Sequence, residues 1–499
     1  MFKTSIFIIL ITISSSLIAQ SQGNIFLDRE FWKKDPSVKT VQMLMAEGNN
    51  PTELNRFAFD AVCYGILENT NLEVMQFLLN LEGNEIDKVT HDGRNYLMWA
   101  VYKGNVGLAE YLIEKGSDTK IVDDHGYNLM TFAAISEQKD LAVFDLILNN
   151  GGSIDDNTRE GATALLLNAS HMKNEATYNY FIDKGADSKA VDHEGNNLFS
   201  YAARLGNLFM MEKAIANGID HKKRNNNNGN AMLFAAKGWR RTTNSLATFS
   251  YLESQGVEAN VITKDGNTPL HYLARSQKDS VVIRFFLDKG VNVNQQNDDG
   301  NTALFYAIRG KNEAVTQLLL PLTENINHRN KDGKSALMYA FRELDLTLSK
   351  HLIGMNANAT IKDVENRNLI VHLFHMLNNN SKENFEKLLK LAKENGVTET
   401  APFENGKTLL HLAVEEESTY LIEQAIMLEQ DINHKNEEGL TPLHVAAMKS
   451  KNDELLKLLV KHGADKAILT DFEESAYDLA AENEKMKKQS TKLDFLKIN

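Results

Sequence analysis

One short phrase recurs along the whole chain and constrains its fold more than any other feature. Its clearest copies run from Asp265 to His271 and from Glu438 to His444, both reading acid-Gly-x-Thr-Pro-Leu-His. Weaker copies centre on Gly93, Gly126, Gly161, Gly195, Gly229, Gly300, Gly333 and Gly406, and two degenerate copies place Asn366 and Glu473 at the glycine position. Successive spacings are 33, 35, 34, 34, 37, 34, 33, 33, 40, 33 and 34 residues. A period this regular predicts a repeat array in which each unit packs on its neighbours.

Each repeat unit can be interpreted physically. The Asp-Gly or Asn-Gly pair indicates a tight turn, because glycine accepts positive φ. A threonine two residues later is typical of a helix N-cap, and a proline after it suits the first helical position. The predicted N-caps are Thr268, Thr302, Thr408 and Thr441, followed in two cases by Pro269 and Pro442. A second helix follows, with an apolar stripe such as Val281, Ile283, Phe285, Phe286 and Leu287. Its predicted glycine caps are Gly116, Gly185, Gly218, Gly256, Gly290, Gly354 and Gly463.

The period, the Thr-Pro-Leu-His motif and the Gly-Ala-Asp that closes two units at Gly185 and Gly463 together resemble the ankyrin repeat. The resemblance covers roughly residues 88–485, with weaker traces over 31–87. It implies an all-α ankyrin-repeat solenoid of about twelve helix-turn-helix units with short finger turns, plus terminal caps. Thr323 and Glu429 depart from the pattern, standing where a capping glycine is expected. The two long spacings imply insertions near 237–245 and 378–402.

The ends of the chain differ from the array. Residues 1–19 have Lys3 as their sole charge and an apolar core from Ile6 to Ile13, a pattern typical of a secretory signal peptide. We therefore predict cleavage after Ala19 and an exported protein, in the periplasm or secreted. The predicted organisation is a signal peptide at 1–19, an N-terminal helical cap with a degenerate repeat at 20–87, an ankyrin array at 88–470, and a last degenerate repeat with a C-terminal cap at 471–499. Within the cap, helices are expected over 38–45, 57–66 and 74–79.

Composition excludes several classes of function. Hydrophobic residues make up 42% of the chain, which excludes global disorder, and the formal net charge of -13 argues against a nucleic-acid binder. The single cysteine, Cys63, excludes an internal disulfide and is interpreted as an inert core residue. The nucleophile elbow, zinc-protease motif and phosphate loop are missing from the sequence. We predict a non-enzymatic protein with no cofactor and no catalytic residue.

Histidines and paired acids could suggest metal binding. His271, His411 and His444 share one position, and the resemblance implies that this histidine hydrogen-bonds backbone between neighbouring loops. His91, His125 and His193 fall at separate finger tips, where only stacking could bring them together. The acidic pairs at 123–124, 298–299 and 437–438 lack the spacing of a calcium loop and are interpreted as solvated turn acids. No metal site is predicted.

Two columns of equivalent residues recur along the repeats. Six residues after the turn glycine stand the aromatic residues Trp99, Phe132, Tyr201, Tyr272, Tyr306 and Tyr339, interpreted as core packing, with a ligand-stacking ladder as the alternative. Nine residues after it stand Tyr102, Ile135, Ser170, Arg204, Gly238, Arg275, Arg309, Arg342 and His375, on the side where ankyrin proteins commonly bind partners. The candidate partner-binding residues are Tyr102, Lys103, Arg204, Trp239, Arg240, Arg241, Arg275, Arg309 and Arg342. Alternatively, the arginines stabilise helix C-termini or pair with acids of the next repeat.

The sequence favours an exported, monomeric scaffold that recognises another protein through the concave face of the solenoid. An arginine column in a chain of negative net charge predicts an acidic or polyanionic partner surface. Two alternatives stay open: a structural or protective cell-envelope protein without a dedicated partner, and an enzyme whose site lies in the insertions. No bilayer-length apolar stretch follows the predicted signal, so no membrane span is expected.

Overall fold

A computed structural model describes residues 23–240, 242–375, 382–397, 401–489 and 491–498. The predicted signal peptide at 1–19 and the candidate Arg241 lie outside the described residues. The chain divides into two compact units, the first comprising residues 1–202 and 207–219 and the second 203–206 and 220–499. The predicted domain limits, including one uninterrupted array from 88 to 470, stay predictions.

The first unit consists of short helices. They are α1 Arg29–Trp32, α2 Val38–Ala46, α3 Ala61–Leu67, α4 Leu72–Leu79, α5 Tyr96–Lys103, α6 Val106–Glu114, α7 Leu129–Ile135, α8 Leu141–Asn149, α9 Ala164–Asn168, α10 Glu175–Asp183, α11 Leu198–Ala203 and α12 Leu208–Ala216. Helices α2 and α4 lie where the cap pattern predicted them. Helix α3 begins four residues later than predicted, because Ala58 has a φ of 59° and the side chain of Asp60 caps the helix at Cys63 N–H.

The second unit repeats the same pair of helices. They are α13 Ala231–Lys237, α14 Leu246–Ser254, α15 Pro269–Leu273, α16 Ser280–Asp288, α17 Ala303–Arg309, α18 Glu313–Leu319, α19 Ala336–Arg342, α20 Leu346–Gly354, α21 Leu369–Phe374, α22 Lys382–Glu394, α23 Leu409–Glu415, α24 Thr419–Met427, α25 Pro442–Lys449, α26 Glu454–Lys461, α27 Ala476–Glu482 and α28 Glu484–Lys488. Single 3₁₀ turns occur at Ile25–Leu27, His91–Gly93, Leu320–Leu322, Glu404–Gly406 and Asp494–Leu496. From α5 onwards, odd numbers mark the first helix of a repeat and even numbers the second.

The helices of each unit form two layers. In the second unit the first helices pack in series from α13 to α27, with α14 on α16, α16 on α18 and α20 on α22 in the other layer. The core between the layers includes Leu270, Phe286 and Leu337, each almost fully buried. Val281 of the predicted apolar stripe is instead half-exposed, because it lies on the outer side of α16. Among the described residues there are no strands beyond isolated bridges, which confirms the all-α ankyrin-type fold.

The repeat motif forms the local structure that its residues predict. Gly266, Gly300 and Gly439 have φ between 72° and 76°, and the threonine two residues later is the N-cap of the first helix in each case. Pro269 and Pro442 occupy the first helical position. Asn366 and Glu473, at the glycine position of degenerate copies, also have positive φ, of 63° and 62°. The degenerate copies therefore keep the turn and accept backbone strain in a residue with a Cβ.

Two predicted glycine positions were wrong. In the fifth repeat the positive φ belongs to Asn228, at 62°, rather than to Gly229. Gly354 does not cap its helix but is the last residue of α20, and Asn356 adopts the positive φ instead. Asparagine is the side chain that best tolerates this region, since its amide bonds locally to backbone. Because the turn residue of the fifth repeat is Asn228, the exposed residue at the end of α13 is Lys237 rather than Gly238.

Capping histidines bind neighbouring repeats together as the resemblance implied. The Thr408 N–H donates to Nδ1 of His411 over 3.2 Å, so the ring proton is on Nε2, which donates to the Leu440 carbonyl at 2.9 Å. His271 and His444 repeat this arrangement, with Nε2 2.9–3.1 Å from a carbonyl of the next repeat. Burial lowers the pKa of all three, to about 4 for His411. The neutral ring is the form that the fold requires.

Candidate functional site

A row of five cations occupies one register of the second unit, and we call it the basic column. Each of its cations stands nine residues after the finger-turn residue of positive φ that opens the repeat. It comprises Arg204, Lys237, Arg275, Arg309 and Arg342. The sequence pattern placed Gly238 in this column. That assignment was wrong, because the turn residue is Asn228 and the ninth residue after it is Lys237. The N-cap Asn230 was the signal in the sequence that could have located Lys237.

The ends of the first helices position the basic column. Lys237, Arg309 and Arg342 are the last residues of α13, α17 and α19, while Arg275 follows α15 by two residues. Lys237, Arg275 and Arg309 are exposed, and Arg342 is half-buried. A cation at a helix C-terminus also gains from the helix dipole, by about 0.3–1 kcal/mol. The helix dipole therefore explains in part why these cations stand at helix ends. The exposed side chains of Lys237, Arg275 and Arg309 remain accessible to a partner.

Several of these cations lie over an aromatic ring of the following repeat. The guanidinium of Arg204 is 5.0 Å from the ring centre of Phe234, and Lys237 Nζ is 5.1 Å from that of Tyr272. Arg309 lies 5.5 Å from the ring centre of Tyr339. Tyr272 and Tyr339 belong to the predicted aromatic column, and Phe234 stands at the same register, six residues after Asn228. The hydroxyl of Tyr339 accepts a 3.1 Å hydrogen bond from the side-chain amide of Asn330 in its own repeat. The aromatic residues therefore pack within the repeats and also make cation–π contacts with the cations of the preceding repeat.

The central arginines make no close ion pair in the described part of the chain, although Arg342 is near enough to Glu416 for its charge to favour the ionised carboxylate. Within the described ranges, no Asp or Glu oxygen lies within 4.0 Å of the guanidinium of Arg275, Arg309 or Arg342. Acids on the same surface have other partners: Glu343 pairs with Lys311 at 3.3 Å. Pairing with acids of the next repeat, one of the two structural alternatives, does not occur for these three residues.

A tight loop borders the basic column at its N-terminal end. The insertion near 237–245 folds back through a pair of hydrogen bonds between Trp239 and Thr242, of 2.8 and 3.3 Å, with Arg240 at a φ of 47°. The Trp239 ring lies 5.1 Å from the Arg204 guanidinium and 5.6 Å from that of Arg240. The structure therefore brings Trp239 and Arg240 to the same face as Arg204. The second insertion is filled by the thirteen-residue helix α22, with 376–381 and 398–400 outside the described residues.

The row of cations at this register ends after Arg342. The next residue is His375, whose pKa is lowered to about 4 by burial and by the nearby positive charge of Arg342. Its Nδ1 lies 3.6 Å from Glu416, whose pKa is raised by burial and by the adjacent Glu415. Glu415 occupies the column register itself and pairs with Lys407 and Lys449 at 3.1 and 3.0 Å. The basic column therefore ends at Arg342.

The candidates in the first unit lie at the end of α5. Tyr102 is 40% exposed and packs against Trp99 and Phe132, with ring centres 6.1 and 6.0 Å away. Lys103 is the half-buried last residue of α5. Ile135, in the same predicted column, is buried and contributes no surface. This surface is aromatic rather than basic.

The sequence predicted the surroundings of the turn acids and histidines of the first unit only in part. Asp123 is buried and accepts a 2.9 Å hydrogen bond from Arg94 Nε, so interpreting it as a solvated turn acid was wrong. His91 and His125 both approach Asp92, with Nε2 3.4 and 3.3 Å from Oδ2. The described residues hold no group of three or more ligating side chains able to bind a metal ion.

Cys63 lies fully buried in α3. Burial raises the pKa of its thiol well above the ordinary value, and nearby Asp60 adds to the effect. A neutral, inaccessible thiol fits the interpretation as a core residue rather than a nucleophile.

The family model for ankyrin repeats, built of three copies, matches residues 33–123, 59–157, 199–296, 232–330, 279–363 and 373–471. These matches cover most of the chain. The chain belongs to the ankyrin repeat family. Ankyrin repeats make it a scaffold for protein–protein interaction, which is the coarse function that its fold carries. The matches reach back to residue 33, within the segment predicted as a cap.

Similarity to individual proteins is partial. The chain is 26% identical over 191 residues to palmitoyltransferase AKR1 of Lachancea kluyveri, over 37% of this chain and 25% of that protein. It is 25% identical over 162 residues to an L-asparaginase of Dirofilaria immitis, over 32% of this chain and 27% of the relative. The chain thus spans about a quarter of the length of these curated relatives. The human ASB11 ankyrin repeat domain aligns at a TM-score of 0.38 with 23% identity, over 47% of this chain and 99% of that structure.

In the part of the chain that the structure describes, every helix is too short or too polar to span a bilayer.

Proposed function

We propose that this ankyrin protein is an exported, monomeric and non-enzymatic scaffold that binds a partner protein through the first-helix surface of its second unit, the concave side in this family. The observation that carries the proposal is the basic column: five consecutive repeats present a cation at one register, in a chain whose formal net charge is -13. The partner surface is acidic, because an accessible row of like charge attracts an opposite surface and speeds encounter.

Accessibility and rigidity support this function. The central arginines have no carboxylate within 4.0 Å among the described residues, so an incoming acid would not have to displace an internal one. The backbone beneath them is fixed by helix ends and by inter-repeat hydrogen bonds, such as the 2.8 Å bond from Lys331 N–H to the Asp299 carbonyl. A surface ordered before binding loses little conformational entropy on association. Trp239 and Arg240 add two side chains of the types enriched in interface hot spots.

The test is affinity capture with the full chain from its own cell envelope, followed by mass spectrometry. The matched control is the variant with Arg275, Arg309 and Arg342 replaced by Ala, checked for unchanged helix content by circular dichroism. We expect one stoichiometric acidic protein that the triple variant fails to retain. A diffuse set of proteins would favour the structural envelope alternative. A single partner that the triple variant retains would refute the basic column as the binding site.

A further inference from the structure

The spacing of the basic column has a consequence for the shape of its partner. Adjacent packed helices lie about 8–10 Å apart, so the five cations from Arg204 to Arg342 form a row about 40 Å long. Only a ligand that presents acidic groups at the same interval can meet every cation at once. The distance between adjacent cations therefore limits which backbone conformations of a bound segment can place an acid opposite each cation.

We propose that the basic column binds an extended acidic segment of the partner in polyproline II conformation, with an Asp or Glu at every third residue. This inference rests on the proposed function. Polyproline II has three residues per turn and rises about 3.1 Å per residue, so every third side chain points the same way at about 9.3 Å intervals. A segment of about 13 residues spans the whole column.

Other backbone conformations fit the interval less well. In a β-strand the side chains of one face recur at about 6.7 Å or 13 Å, since neighbouring residues alternate faces. A helix places every seventh residue about 10.5 Å apart, so it would need about 29 helical residues to reach five cations. The polyproline II segment meets the same charges with less than half the chain.

The aromatic platforms favour carboxylates as the docked groups. The guanidinium of Arg309 lies 5.5 Å from the centre of the Tyr339 ring, and no carboxylate of the described residues lies within 4.0 Å of it. A guanidinium carries five N–H donors in one plane, and two of them match the two oxygens of a carboxylate. Beyond Arg342 the register holds His375, whose pKa is lowered to about 4, and then Glu415, which already pairs with Lys407 and Lys449. The acidic part of the segment therefore ends opposite Arg342.

The experiment uses the full chain and three fluorescein-labelled peptides that each carry five Glu residues. The first has 13 residues with Glu at positions 1, 4, 7, 10 and 13 in a Pro- and Ala-rich background. The second contains the same residues with the five Glu contiguous, and the third is a 29-residue helical peptide with Glu at every seventh position. Binding is followed by fluorescence anisotropy at about 0.15 M salt, where isolated exposed charges are screened beyond about 8 Å.

We expect the first peptide to bind at least about tenfold more tightly than either alternative. The variant with Arg275, Arg309 and Arg342 replaced by Gln should lose at least about tenfold in affinity for that peptide. The matched control, Lys223→Gln, removes an exposed cation of a finger loop outside the column and should change affinity less than twofold. Quenching or a shift of Trp239 fluorescence, absent in Trp239→Phe, would place the peptide beside the tight loop.

Equal binding of the first two peptides would overturn the inference by showing that total charge alone decides. Tighter binding of the helical peptide, or no loss in the triple Gln variant, would also overturn it. These failures are distinct from failure of the proposed function. A captured partner that depends on the three arginines while none of the peptides bind would support the binding surface and reject the extended acidic segment.

Discussion

Acidification should weaken this fold through its capping histidines, and His411 provides the clearest measurement. Its ring is fully buried, with Nδ1 accepting the Thr408 N–H and Nε2 donating to the Leu440 carbonyl. Protonation would place a second proton on Nδ1, where it faces a donor, and would bury a charge. Burial of the ring is the main reason that the folded pKa of His411 is about 4, against an ordinary value of 6.5, and the nearby positive charges of His434 and Lys407 add to it.

The sign and size of the pH effect on the free energy of unfolding follow from the linkage between proton binding and folding. Because the folded pKa lies below the unfolded one, the unfolded chain binds more protons between pH 6.5 and pH 4. Stability is therefore fully present above pH 6.5 and falls as the pH drops toward 4. Each pKa unit corresponds to about 1.4 kcal/mol, so His411 accounts for a loss of about 3 kcal/mol in full and about 2 kcal/mol by pH 5.

The assay is urea denaturation of the full chain at pH 7 and pH 5 for the wild type and for His411→Gln. Glutamine cannot titrate, so its loss on acidification should be about 2 kcal/mol smaller than that of the wild type. His462→Gln is the matched control for the substitution itself, because His462 is exposed at the C-terminal end of α26. Equal losses in the wild type and His411→Gln would refute the reasoning, as would an imidazole that titrates near 6.5 by NMR.

The remaining predictions concern packing, buried amides and export. Leu270→Ala should cost roughly 2–5 kcal/mol in the free energy of unfolding, since Leu270 is fully buried in α15, whereas exposed Lys223→Ala should cost under about 0.5 kcal/mol; equal costs would show that the buried and exposed faces are reversed. Asn244→Ala should cost about 1–3 kcal/mol, because its amide donates to the Arg204 and Ala235 carbonyls at 2.9 and 2.8 Å, and urea denaturation measures this cost. N-terminal sequencing of the native protein should begin near Gln20, and a sequence that begins at Met1 would refute export by the predicted signal.

Much of the fold could be predicted because each repeat encodes its own local structure. A turn that needs positive φ selects Gly, Asn or Asp, and the following N-cap selects Thr, Ser or Asn. These choices are made within a few residues of chain and so are visible in sequence. The helical cap around α2 and α4 was also visible, from apolar periodicity alone.

Errors arose where two residues compete for one local role. Asn228 and Gly229 can each supply the positive φ, and the sequence favoured the glycine on propensity. Packing of α13 against α15 and the hydrogen bond from Asn225 N–H to the Gly229 carbonyl select Asn228 instead. A shift of one residue then moved Lys237 into the basic column and Gly238 out of it.

By itself, the sequence determined the period, the two-helix unit, the turn chemistry and the presence of arginine at one register. All of these depend on interactions between residues near one another in the chain. Only the tertiary structure decided the electrostatic surroundings of that register. Arg309 meets the ring of Tyr339, and Glu343 pairs with Lys311, only because folding brings neighbouring repeats together. The same is true elsewhere in the chain of the buried pair Asp123 and Arg94. A cation's partner depends on side-chain direction across the repeat interface, which helix periodicity does not specify.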